Sequence, residues 1–140
     1  MRWGAEDAER GSVAIEAAML VPVFIVIVAL VIAAGRVRTV DGVVAEASRD
    51  AARAASLETT PGAARTAGAQ AAGYTLSSQG LTCRTTVSTA DMVAAPGRVG
   101  TVQATVYCKV SLSDLLLPGV PGSVPISSSF TAVVDAYRSR

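Results

Sequence analysis

Near the N-terminus the chain contains one uninterrupted apolar segment, residues 17–35, which carries no charged side chain over nineteen positions. A helix of that length spans about 29 Å, which matches the roughly 30 Å hydrocarbon core of a bilayer. The pattern therefore predicts a transmembrane helix over residues 12–35, with Pro22 tolerated inside it. Glu16 immediately precedes the segment, and a carboxylate at the edge of a membrane span is a candidate functional residue because burying it is costly.

Beyond this segment the apolar residues return at intervals of three and four, the spacing of one helix face. Charged residues fill the other side, and Glu46 and Arg49 are spaced as a helical ion pair. We therefore predict one long helix over residues 13–57, apolar all round in its first part and amphipathic in its second, 36–57. The apolar face predicted for the second part consists of Val40, Val43, Val44, Ala47, Ala51 and Ala54.

A second, shorter helix is predicted over residues 61–78. Thr60 and Pro61 suit the N-cap and the first helical position, and together with Gly62 they break the chain away from the long helix. The apolar stripe of this helix is weaker than that of the first. It is formed by Ala64, Ala67, Ala71 and Tyr74.

From residue 81 onward apolar and polar residues alternate, which is the pattern of half-buried strands. We predict strands over residues 81–88, 99–112 and 126–135. A loop rich in Pro and Gly separates the last two, and its three leucines, Leu115, Leu116 and Leu117, form either a docking loop or a satellite of the core. The fold class is therefore α+β: a long N-terminal helix, a short helix and a small antiparallel sheet of about three strands.

Both cysteines fall on the apolar faces of their predicted strands. Cys83 and Cys108 are the only two in the chain, and neighbouring strands would let them meet. A disulfide closing this loop would contribute about 3.5 kcal/mol in the chain-entropy model, a large share for a core poor in aromatic residues. We predict this disulfide; the alternative is a pair of buried free thiols.

Composition narrows the possible chemistry. Histidine is absent, which removes the commonest general base and metal ligand, and the net charge of +1 gives no electrostatic case for nucleic acid. We therefore predict no catalytic residue, no cofactor, no metal, no small-molecule substrate and no nucleic-acid partner. The helix carboxylates are interpreted as a solvated face rather than an acid/base set; they are Asp41, Glu46, Asp50 and Glu58.

The first eleven residues differ from a secretory signal. Such a signal has a basic start and a shorter apolar stretch, whereas Glu6, Asp7 and Glu9 make this segment acidic on balance. We interpret residues 1–11 as a leader. An export signal cleaved near Ala34 is the alternative.

The residues around this leader resemble a known family. Arg10 and Gly11 stand before Ser12, Glu16 follows five residues after Gly11, and an apolar helix begins at once. This arrangement resembles the processing site of type IV pilins. The longer string Gly-Ser-Val-Ala-Ile-Glu-Ala-Ala-Met-Leu-Val-Pro-Val-Phe, with the helix that follows, resembles the TadE-like family, minor pilin-like proteins of the tight-adherence (Flp) pilus.

The resemblance implies roles for three residues. A prepilin peptidase would cut after Gly11, Ser12 would become the new N-terminus, and Glu16 would be an assembly residue. The carboxylate of Glu16 would pair with the α-amino group of a neighbouring subunit, which compensates both charges at the membrane edge; the alternative is that it snorkels to the headgroups. Ala17 stands where the major Flp pilin has Tyr, which favours a minor subunit.

Two arguments about orientation disagree. Arg36, Arg38, Arg49 and Arg53 follow the apolar segment, and the positive-inside rule would therefore place the C-terminal part in the cytoplasm. The pilin resemblance and the predicted disulfide place it outside, because disulfides persist in oxidising compartments. We predict a cytoplasmic N-terminus and an extracytoplasmic domain formed by residues 36–140.

The sequence thus predicts a single-pass protein of the cell membrane that acts as a minor pilin, or pseudopilin, in assembly of a tight-adherence pilus or a related secretion apparatus. Its expected partners are membrane lipid, the prepilin peptidase, other pilins and platform proteins of the inner membrane. An anchored or secreted small binding module with no pilus role is the alternative. A membrane enzyme is disfavoured because no nucleophile lies beside a base.

Overall fold

The computed structural model describes residues 6–93, 98–111 and 121–134. Two helices precede three strands. Helix α1 covers Glu6–Ser56 and helix α2 covers Pro61–Ser77. Strand β1 covers Cys83–Ser88, β2 covers Thr101–Ser111 and β3 covers Ser123–Val133. The predicted α+β class is confirmed, with a long helix, a short helix and a three-stranded antiparallel sheet in the order β1-β2-β3.

Helix α1 is continuous over 51 residues. Residues 6–12 are already helical, ahead of the predicted start at residue 13, so the predicted boundary at Gly11 falls inside the helix. Gly35 and Gly42 do not interrupt the helix.

Helix α2 begins as predicted. The side-chain oxygen of Thr60 accepts a hydrogen bond from the backbone N–H of Ala63 at 3.3 Å, and Pro61 occupies the first helical turn. The predicted apolar stripe is wrong at Tyr74, which is 81% exposed. The residues that α2 buries are instead spaced by four and mostly small: Ala64, Gly68, Ala72 and Leu76.

The sheet pairs its neighbouring strands in antiparallel register. Strand β3 starts at Ser123, earlier than the predicted residue 126, because its pairing with β2 continues to Ser111. Pro125 does not prevent this. The backbone N–H of Val134 donates to the carbonyl of Gly100, so the alternation of an antiparallel ladder turns the nitrogen of Pro125 away from β2. Leu112, the three leucines 115–117 and Asp135 lie outside the described residues.

Helices α1 and α2 lie on one face of the sheet: α1 packs across β2 and β3, and α2 packs against β1. The predicted alternation of β2 is confirmed for the described residues, since its core-facing side chains are all buried. On α1 the buried face is wider than predicted, with Ala52 and Ala55 fully buried, because α1 contacts both α2 and the sheet. We call this packed unit, the described residues between 33 and 134, the head.

Candidate functional site

Residues 15–32 of α1 have almost no protein cover among the described residues. Their large side chains are exposed on every side, including Met19 at 73% and Phe24 at 68%. Soluble helices show an apolar stripe on one side only, whereas a helix that is apolar all round is normally surrounded by protein or lipid. We call residues 15–32 the bare segment. Its apolar surface can be buried only by lipid or by other chains.

The bare segment has the dimensions of a membrane span. An 18-residue stretch of the helix has a mean hydropathy of 3.0, and only 6% of that stretch is buried. It is the one helix in the described part of the chain that is long and apolar enough to cross a bilayer. A single-pass anchor fits this helix, and its low burial distinguishes it from the core helix of a soluble protein.

Glu16 lies at the start of the bare segment and is exposed. Among the side chains that the structure describes, it forms no ion pair. Gly11 and Ser12 precede it on the same continuous helix. Ser12 and Glu16 are four residues apart, so they occupy the same helix face about 6 Å apart along the axis. The structure thus places the three predicted residues close together at one end of the apolar helix.

The head begins to cover α1 at Ala33, which is 3% exposed. Val37 and Val40 then pack against the core, and Val44 is fully buried within it. Arg36 and Arg38 are exposed at this boundary. The change from bare to covered helix therefore coincides with the end of the uncharged sequence.

Cys83 and Cys108 form a disulfide, and neither is a free thiol. The two residues are directly opposite each other on β1 and β2, with their Cα atoms 4.4 Å apart. This separation is typical of a pair without mutual backbone hydrogen bonds. The bond ties the edge strand β1 to the centre of the sheet, at the end of the head nearer to the bare segment.

One helix carboxylate has a structural contact that the sequence interpretation missed. Asp50 accepts a hydrogen bond from the hydroxyl of Thr75 at 2.7 Å, so it links α1 to α2 instead of lying on a solvated face. Glu46 does lie on the exposed face, where Arg49 approaches it at 3.5 Å. A second polar contact joins Ser48 on α1 to Ser128 on β3 at 3.2 Å. No sequence spacing relates either pair, because each joins residues distant in the chain.

The described residues contain no group of three or more acidic, Cys or His side chains that could hold a metal ion. One cleft opens where β1 and β2 meet near the disulfide, lined by Thr82, Cys83, Arg84, Tyr107 and Lys109. Its polar groups are two cations and hydroxyls. These lining residues include no carboxylate, and none of them pairs a base with a nucleophile.

Comparison with protein families matches residues 11–53 to the family described as TadE-like protein. Neither the curated proteins nor the solved structures contain a match to this chain. The matched residues begin at Gly11, include the whole bare segment and end on the part of α1 that packs into the head. Residues 11–53 are therefore similar to the TadE-like family, in agreement with the resemblance found in the sequence.

Proposed function

We propose that this protein is a minor pilin-like subunit, or pseudopilin, that acts in assembly of a tight-adherence pilus or a related secretion apparatus. The observation that carries the proposal is the bare segment with Glu16 at its start, inside a TadE-like domain. A helix that is apolar all round is able to exchange lipid for the helices of other subunits without a change of its own fold. The proposal assigns a structural role and no catalytic step.

Processing by a prepilin peptidase is part of the proposal. Cleavage after Gly11 would leave Ser12 with a free α-amino group on the face of α1 that also carries Glu16. The peptidase and the other pilins are therefore the proposed partners, together with platform proteins of the inner membrane. N-terminal sequencing of protein from cells with an active peptidase should begin at Ser12, and Gly11→Val should leave the chain uncut.

The head is proposed to lie outside the cytoplasm. The disulfide between Cys83 and Cys108 supports this orientation, because such bonds are rare in reducing compartments. Arg36 and Arg38 argue the other way under the positive-inside rule. Alkylation of intact cells without reductant decides the question: an extracytoplasmic head should show no free thiol.

The assembly role rests on Glu16 and is tested there. If its carboxylate pairs with the amine of a neighbouring subunit, Glu16→Gln should retain insertion and cleavage but reduce co-purification with partner pilins. Glu16→Leu should have the same effect and insert at least as well, because it removes a charge that costs up to about 3 kcal/mol in a membrane. The measurement is the yield of partners and the number of pili at matched membrane levels.

Glu46→Gln is the matched control, since it removes an exposed carboxylate from the same helix at a position beyond the bare segment. It should leave partner yield unchanged. Wild-type yield in both Glu16 variants would refute the pairing role. If the chain in addition co-purified with no pilin at all, an anchored binding module would be the better description.

A further inference from the structure

The charged residues of the sheet all have one sign. In the three strands the only charged side chains are Arg84 on β1 and Lys109 on β2. Both are exposed on the face that turns away from the helices, and both line the cleft beside Tyr107. No ion pair with a described carboxylate neutralises either of them. This face of the sheet therefore presents positive charge to whatever lies near it.

Two contacts show how the sheet is placed along α1. Ser128 of β3 lies beside Ser48, and Val87 of β1 lies at Gly68, which also touches Ala51 and Ala55. In the strand register Ser128 lies opposite Val106, and Val106 lies opposite Thr85 of β1. Val87 therefore lies two residues beyond the level of Ser128, in the direction of β1. That step is about 7 Å along a strand, which corresponds to between four and five helix residues. The two contacts therefore agree that β1 and β3 run in the direction of α1, away from the bare segment.

The same register gives the height of each cation above the bare segment. Lys109 pairs with Pro125, three residues before Ser128, so it lies near the level of residues 41–42 of α1. That is about 10 Å beyond Gly35 along the axis. Arg84 pairs with Tyr107 and lies one residue below the level of Ser48, about 16 Å beyond Gly35. Arg36 and Arg38 are nearer still, directly after the uncharged sequence.

These heights correspond to the layers of a bilayer surface. If the uncharged segment fills the hydrocarbon core, the polar headgroup layer extends about 5–8 Å further. Arg36 and Arg38 then lie within it, and the side chain of Lys109 reaches it from above. Arg84 lies about one Debye length beyond, where attraction is weak at physiological salt. Between residues 33 and 45 of α1, the only described carboxylate is that of Asp41.

We propose that the end of the head nearer to the bare segment binds anionic phospholipid headgroups, through Lys109 of the sheet together with Arg38 of α1. The attraction holds the sheet against the bilayer surface and sets the tilt of the head. The proposal rests on insertion of the bare segment in a membrane, and it does not depend on the pilus role. It is also independent of which side of the membrane the head occupies.

The test uses the full chain reconstituted into phosphatidylcholine vesicles that contain a trace of spin-labelled phosphatidylglycerol or spin-labelled phosphatidylcholine. The motionally restricted fraction gives the relative association of each lipid with the protein. We expect the wild type to prefer the anionic lipid and to lose that preference as salt is raised. Lys109→Gln should lower the preference up to about fivefold, Arg84→Gln less, and Lys109→Arg should restore it.

Arg53→Gln is the matched control, because Arg53 is exposed on α1 about 27 Å beyond Gly35 and should not contribute. An unchanged preference in Lys109→Gln would overturn the proposal, because the attraction would then not involve the sheet. Loss of the preference in inorganic phosphate, but not in sodium chloride of equal ionic strength, would also overturn it, since the site would then bind a free anion. Failure of the wild type to enter vesicles at all would refute the membrane anchor itself and the proposal with it.

Discussion

The two halves of α1 are one continuous helix in two different environments. In the bare segment, residues 15–32, Val, Ile, Leu and Phe side chains cover the whole circumference and stay exposed. In the second half the fully buried residues are Val44 and small residues such as Ala47 and Ala51. The larger apolar side chains are thus exposed and the smaller ones are buried, the reverse of the order expected for a helix in a soluble core.

This difference shows that hydrophobicity and burial are separate properties in this chain. The bare segment is apolar because of the medium that surrounds it, and its side chains need no particular shape to fit lipid. The second half must fit α2 on one side and the sheet on the other, and small residues allow backbones to approach closely. The side chains of the bare segment therefore need only be apolar, whereas those of the second half must also have the size that fits their neighbours.

The largest expected effect concerns the head alone. Reduction of the disulfide between Cys83 and Cys108, which are 25 residues apart, should lower the free energy of unfolding of the head by about 3.5 kcal/mol. The bare segment should keep its helix, because it makes no contact that depends on the bond. Denaturant unfolding of the full chain in detergent, followed by circular dichroism with and without reductant, measures both quantities. An unchanged unfolding midpoint would contradict the prediction.

A charge placed in the bare segment should affect only membrane insertion. Val26→Arg puts a guanidinium at the centre of the uncharged sequence, at a cost of about 3 kcal/mol on insertion-based scales. The fraction of protein that resists alkaline extraction from membranes should fall, while the head keeps its unfolding midpoint. Leu57→Arg is the control, since Leu57 is equally exposed but lies beyond α1. Equal extraction of the two variants would argue against a membrane span.

The same substitution made once in each half sharpens the comparison. Val44→Ala removes two buried methyl groups and should destabilise the head by about 2 kcal/mol. Val26→Ala removes the same groups from an exposed position and should leave the stability of the head unchanged. Both values come from denaturant unfolding in detergent. Equal losses would mean that the bare segment packs against the head.

The smallest effect tests the fit of the second half directly. A Cβ atom at Gly68 would lie 2.9 Å from the carbonyl oxygen of Ala51 and 2.9 Å from a methyl group of Val87. Gly68→Ala should therefore cost about 1 kcal/mol net, since overpacking exceeds the gain in helix propensity. Gly73→Ala in the same helix meets no atom within 4 Å and should stabilise by up to about 1 kcal/mol. Thermal unfolding should move in opposite directions for the two variants; a shift in the same direction would refute the close contact.

Much of this architecture could be read from local pattern. The apolar segment, the change of period at residue 81 and the cap at Thr60 each depend on neighbouring residues, so they predicted the order of elements. The alternation of β2 placed Cys108 on the core side for the same reason. Two local predictions failed: β3 starts at Ser123, because its pairing with β2 continues to Ser111, and Tyr74 continued a stripe that α2 does not bury.

The sequence by itself determined the class of each element, because helix and strand periodicities are local, and its resemblance to the TadE-like family supplied the candidate residues Gly11, Ser12 and Glu16. Only the tertiary structure decided which face of α2 is buried, that Asp50 bonds to Thr75, and that Lys109 lies on the side of the sheet nearer to the bare segment. Each of these depends on contacts between residues far apart in the chain. Such contacts are chosen by the shape of the packed surfaces, which no local periodicity records.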